Sequence, residues 1–573
     1  MTNRSKALVV IGVVVGVLVV GVTAIVVGFR MMTSHVPGHG LLDIEISGPI
    51  PEVTPESPFG PLFGERVISR QDLRDALDQA AGDARIRAVR VKVGDFAAGF
   101  ATLQEIRGLL ARVAAAGKRT SAYLETAGEF APGNAQYYLA TGCRRVVLSP
   151  MGDVNLIGLS ARVPFIRGTL DRLGIAPDFP GIGDYKTARF FYTQKDFTPA
   201  HREMMGWLLG SLGSQLAAGI AAGRGMEPSH VEALMLGGPY LGPAALEAKL
   251  VDELADWETF VDETARIDGE KLDEVSLRHY LKAGRPDRSG TTIAVVVASG
   301  QILRGESGYS PLPLFGGDVM GSDTISRAWR QVRESGAKAA IFRIDSPGGS
   351  AVASEIIRAE MVRTAKEIPV VVSMGDVAAS GGYWISCGAR RIVADPGTLT
   401  ASIGVFGGHF AMDRFWEDKI GVTFGRVDGA PNASIYGTLD PWTPEQKAAV
   451  ERSLDRIYAS FLDRVTAARQ LSREQVDAVG RGRVFTGEQA RERGLVDQIG
   501  GFDDALAEAR KLAGLRPGAP VELTFYPRMK SIWQRLIESD DDSSARVETI
   551  LKRLAEGQML VPGPVWLPPI EIR

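Results

Sequence analysis

The chain has 573 residues, a net charge of −3 and only two cysteines. The length exceeds one ordinary core and calls for several domains, while the near-neutral charge and lack of a basic block exclude the usual footprint of a nucleic-acid binder. Two cysteines make no disulfide framework, and no Cys/His cluster has metal-ligand spacing, so neither a metal nor a cofactor is implied.

The first element in chain order is an apolar segment. Residues 1–6 carry Arg4 and Lys6, and residues 7–29 form a run of 23 without a charge. As a helix that run is roughly 35 Å long, enough for a hydrocarbon core of about 30 Å. A cleaved signal peptide has a shorter apolar region and an Ala-x-Ala-like site. The expectation is a retained transmembrane anchor with residues 1–6 cytoplasmic and the body outside the cytoplasm. Residues 30–40 are a short linker containing His35-Val36-Pro37-Gly38-His39-Gly40.

The body reads as one pattern used twice. Leu42 to Ile50 and Ile293 to Ile302 both read as strand then turn, and each precedes a Pro/Gly-rich loop. Helical patterns follow at Leu73 to Ala81 and Ile325 to Val332, then apolar strands at Val89 to Val93 and Ala340 to Ile344. A helix over Ile356 to Lys366 leads to a strand over Val370 to Met374 that ends in a glycine-containing turn, Gly375 to Ala379. Strands alternating with helices predict an α/β fold with mainly parallel sheets. The breaker-rich stretch 282–290 separates a first repeat, 41–281, from a second, 291–515, and 516–573 forms a C-terminal extension.

The repeats align at a fixed offset. Gly133-Asn134-Ala135 stands 246 positions before Ala379-Ser380-Gly381, and Lys186 stands 246 before Asn432. The downstream copy therefore holds Ser380 and Asn432, and the upstream copy Asn134 and Lys186. A Ser and a Lys that one copy would hold together are divided between two. That suggests a Ser-Lys hydrolase whose site is built across both repeats. Cys143 and Cys387 fall near equivalent positions, which favours small buried side chains over a disulfide.

Ser380 opens a helix after a strand, where free N–H groups favour developing negative charge. A serine there is commonly just an N-cap. The segment Asp345-Ser346-Pro347-Gly348-Gly349-Ser350 shifts the balance, because its glycines let backbone amides approach a ligand. Oxyanion donors would come from Gly349 (or Gly348) and from Gly381. The first repeat has Gly94 to Gly99 in that place and lacks both the Pro-Gly-Gly and the serine. A Ser-His-Asp triad has no support, since His409 alone follows Ser380. A lysine serves as base once it is neutral, which burial among apolar groups achieves. Lys186 has aromatic neighbours, and Ser402, replaced by Leu156 in the other copy, could orient its amine.

Together, Asp345-Ser-Pro-Gly-Gly, Ala378-Ala-Ser380-Gly-Gly-Tyr-Trp, Thr400-Ala-Ser402-Ile-Gly and Asp184-Tyr-Lys186-Thr-Ala resemble the signal peptide peptidase A (protease IV) family in its long two-repeat form, over about residues 40 to 510. The resemblance implies a Clp/crotonase-like fold and a serine endopeptidase. Ser380 would be its nucleophile, Lys186 its general base, Ser402 the partner of that lysine, and Gly349 and Gly381 its oxyanion hole. It also implies a homo-tetrameric ring on the outer side of a bacterial inner membrane, acting on apolar peptides such as released signal peptides. Two other readings compete: a non-enzymatic membrane-anchored oligomeric scaffold, and a crotonase-type acyl-CoA enzyme.

Overall fold

The computed structural model describes residues 36–53, 67–284, 290–310 and 317–527. The anchor segment 7–29 lies outside them. Among the described residues no helix is long and apolar enough to cross a membrane.

The two repeats fold alike. In the first, six strands run in the order Asp273–Ser276, Gly40–Pro49, Ile86–Ala97, Arg119–Leu124, Arg145–Leu148, Glu253–Leu254, with every pairing parallel. In the second, Val521–Tyr526, Thr291–Ser299, Ala339–Ser346 and Val370–Ala379 are joined in parallel, followed by Arg391–Ala394 and Gln498–Ile499. These strands read as continuous apolar runs because helices cover parallel sheets on both faces. Connecting helices are set by local signals: Ser69 caps Arg70–Gly82 in a reciprocal box with Asp72, and Thr443 does the same for Pro444–Arg469 with Gln446. Each repeat has its own core, one around Val91, Ile106, Leu110 and Tyr137, the other around Phe342, Ile357, Val372 and Tyr383. Cys143 and Cys387 are separate buried thiols.

Three expectations are corrected. The strand from Val370 does not end at Met374 but continues to Ala379, because Val377 to Ala379 find a parallel partner in Leu399–Ala401. The helix Leu277–Gly284 reaches into the stretch assigned to the linker. Beyond Leu515, Val521–Tyr526 joins the edge of the second sheet, where Asp273–Ser276 joins the first.

The first repeat reaches into the second at two places that matter for the site. Ala176–Asp178 and Gly181–Ile182 pair antiparallel with His409–Ala411 and Val405–Phe406, sealed by Phe179, Tyr192, Phe406 and Phe410. The long helix Pro199–Arg224 also lies against the second repeat. Trp207 donates to the Val484 carbonyl at 2.9 Å and stacks on Phe485.

Candidate active site

Ser380 sits between the strand Val370–Ala379 and the helix Gly381–Ser386, at φ 54° and ψ −113°. A non-glycine residue there is strained by about 1–3 kcal/mol and persists only where its surroundings over-determine it. They do: Ser380 N–H donates to the Ala401 carbonyl, and the Ser380 carbonyl accepts from Trp384 N–H, both at 2.8 Å. Although Ser380 occupies the N-cap, its hydroxyl makes no capping bond. That oxygen is left for another partner.

The partner is Lys186, whose Nζ lies 3.0 Å from Ser380 Oγ. The same amine lies 2.9 Å from Ser402 Oγ and 3.1 Å from the Ser402 carbonyl. Lys186 is 1% exposed, so desolvation lowers its pKa from 10.5 to about 7. Its hydrogen-bond partners are neutral oxygens, so nothing charged opposes that shift. Two glycines make the approach possible. A Cβ on Gly183 (φ +92°) would lie 2.1 Å from the Arg481 carbonyl oxygen, and one on Gly482 (φ +87°) would lie 2.3 Å from Lys186 N. The turn at Arg481-Gly482 therefore clasps the lysine backbone from the second repeat. The sequence reading missed this turn; its signal was Gly480-Arg481-Gly482, two glycines about an arginine.

Ser402 is held by its own N–H, which donates to the Arg483 carbonyl at 2.8 Å, and it too has positive φ, 53°. Ala401 before it stands at φ 67°. This left-handed pair turns the hydroxyl and carbonyl of Ser402 toward one point, the lysine amine.

The loop after Asp345 brings glycine amides beside Ser380. Gly349 bridges Ile302, but the bonds of that bridge run from Ile302 N–H to the Gly348 carbonyl and from Ser350 N–H to the Ile302 carbonyl. The Gly349 amide is outside it. Gly348 N–H donates to Ser346 Oγ at 3.2 Å, so of the two glycines it is Gly349 whose amide has no acceptor among the described residues. A Cβ on Gly381 would lie 3.0 Å from Gly349 N, which puts those two residues against one space. The structure thus brings together Ser380, Lys186, Ser402, Gly349 and Gly381. His409 is elsewhere, its Nδ1 2.7 Å from the Gly437 carbonyl and its ring stacked on Trp442.

The equivalent place in the first repeat is closed. Asn134 is buried, donates from Nδ2 to the Gly158 carbonyl at 2.8 Å and accepts at Oδ1 from Ile157 N–H at 3.2 Å. Asn432, the counterpart of Lys186, is exposed.

Comparison with known proteins agrees with this doubled architecture. The model of "Peptidase family S49" matches twice, at residues 117–270 and 363–516, starts that are 246 apart (363 against 117). A relative named Protease 4 from Salmonella typhi is 34% identical over 484 residues, 82% of this chain and 75% of that protein. Another Protease 4, from Haemophilus influenzae, is 32% identical over 80% of this chain and 76% of its own length. The chloroplastic serine protease SPPA of Arabidopsis thaliana is 30% identical over 87% of this chain and 73% of its own. With the family model repeated at the offset that separates Ser380 from Asn134, the chain belongs to peptidase family S49 and is a serine peptidase.

Proposed function

We propose that the chain is a membrane-anchored endopeptidase with a Ser380–Lys186 dyad divided between its repeats. The observation that carries this reading is the buried Lys186 amine, with a pKa lowered to about 7, at 3.0 Å from Ser380 Oγ. Neutral Nζ takes the hydroxyl proton as Oγ forms a bond to the scissile carbonyl carbon. The Gly349 and Gly381 amides face the oxyanion of the tetrahedral intermediate. Ser402 keeps the amine aimed at Oγ. Collapse breaks the C–N bond while Lys186 returns its proton to the leaving amine. Water then attacks the acyl-enzyme, giving its proton to Lys186, and Ser380 is restored as the acid leaves.

The substrates on this reading are apolar peptides, released signal peptides among them. The uncharged segment 7–29 supports an anchor with the body on the extracytoplasmic side of a bacterial inner membrane, and the working form is a homo-tetramer. Ser380→Ala and Lys186→Ala, compared with wild type on an apolar peptide, test the dyad. Each is expected to lower kcat by at least about 10³-fold with the fold intact. Full activity in Lys186→Ala would place the base elsewhere.

A further inference from the structure

An ion network, buried at Arg70, Arg343 and Glu52, joins the two repeats behind the strand ends that lead to the site. Arg343 stands inside the apolar strand Ala339–Ser346, only 1% exposed. It meets Glu52 at 2.9 Å and Glu105 at 2.8 Å, both from the first repeat, and donates to Ser373 Oγ and the Met374 carbonyl. Arg70 opens the first repeat's helix Arg70–Gly82. Its guanidinium donates to Asp345 Oδ2 and to Thr102 Oγ1, each at 2.7 Å, and lies 3.1 Å from Glu52 and 3.6 Å from Asp376. Thr102 donates to Asp376 through its N–H at 2.8 Å and its hydroxyl at 2.6 Å. The second oxygen of Asp345 accepts from Val377 N–H at 3.1 Å.

The positions of these two aspartates matter. Asp345 stands four residues before Gly349, and Asp376 four residues before Ser380. One guanidinium from the first repeat thus holds the two neighbouring strand ends from which the Gly349 and Gly381 amides extend. Without it, two half-buried carboxylates would face each other across that gap and drive the ends apart or take up a proton. Asp345 already feels this, its carboxyl raised by burial and by Asp376 and lowered by Arg70. Stability alone is a poor reason for such a device, because buried ion pairs are commonly no better than well-packed apolar groups. Geometry is a better one: an oxyanion donor works only within about 2.7–3.1 Å of the oxygen, and a misplacement of about 1 Å can remove about 10² in rate.

We propose that Arg70 is a positioning residue for hydrolysis, setting the spacing of the Gly349 and Gly381 amides so that the first repeat completes the oxyanion hole as well as supplying the lysine. The inference rests on the peptidase reading above. Full-length wild type, Ser380→Ala, Arg70→Met and Arg70→Lys are compared on one apolar peptide, with rates taken per folded molecule and thermal melts recorded alongside. Binding of a peptide aldehyde, whose hemiacetal oxygen occupies the oxyanion position, is compared with binding of the plain product peptide. Arg70→Met is expected to lose about 10² in kcat with KM within about threefold, and to weaken the aldehyde but not the product peptide. Arg70→Lys keeps the buried charge but cannot span both aspartates, and is expected to lose at least about tenfold in kcat. If Arg70→Met does not fold, Arg70→Lys decides in the same way. Rates within threefold of wild type in the folded variants overturn the inference, as does equal weakening of aldehyde and product peptide. An inert wild type, or an active Ser380→Ala, overturns the peptidase reading first and this inference with it.

Discussion

A lysine amine surrounded by neutral oxygens responds to pH in two measurable ways. With the Lys186 pKa near 7, the base is neutral above that pH and protonated below it. The proposed dyad therefore predicts that kcat falls about tenfold per pH unit below about 7, and a pH–rate profile checks this. Stability follows the same proton. Between about 7 and 10.5 the unfolded chain holds a proton on this lysine that the folded chain does not, so this group makes the fold more stable as pH rises through that window. Lys186→Met should accordingly raise the melting temperature, more at pH 6 than at pH 10. Lys186 was legible in the sequence only because a repeat offset marked it. Arg70 and Arg343 carried no such mark: a lone arginine in a sequence reads as solvated charge until its buried partners are known. The left-handed backbone of Ser380, Ala401 and Ser402 was equally silent, since none is a glycine.

At the scale of elements, the helix Asn134–Ala140 repeats Gly381–Ser386 without its chemistry. Asn134 fastens the segment that corresponds to Ser402-Ile403-Gly404, and the strand Ile86–Ala97 runs on where the second repeat turns into Pro-Gly-Gly. A serine there would lack a lysine and a glycine amide. The double variant Ser380→Ala with Asn134→Ser should stay inert in the peptide assay, no faster than Ser380→Ala alone. Long parallel strands such as Ala339–Ser346 were legible because burial on both faces writes a continuous apolar run. The short ladders Ala176–Asp178 and Gly181–Ile182 were not, because two or three residues hold no period. Gly375-Asp376 read as a turn, yet the strand continues through it, its partner Leu399–Ala401 lying more than twenty residues away in sequence.

Over the whole molecule, the site exists only where the repeats meet. Residues 36–284 hold the lysine and the Arg70 clamp; residues 290–527 hold the serine and the glycine amides. Neither fragment produced alone should cleave the apolar peptide, and producing both in one cell should restore cleavage, carried by the cross-repeat ladders and the buried ion pairs. A standard assay on the purified fragments and on the pair checks this. That the division was legible in the sequence, while the surface joining the halves was not, has one physical cause. A repeat is a local regularity of the chain, whereas an interface belongs to residues hundreds of positions apart.

The same division orders events during synthesis. A ribosome delivers the first repeat well before the second, and domains generally fold as they emerge. The half made first holds Lys186 and a closed site at Asn134, so on the proposed dyad a partly made chain has its base and lacks its nucleophile. On the proposed dyad, proteolytic capacity then arrives only with the last domain to fold.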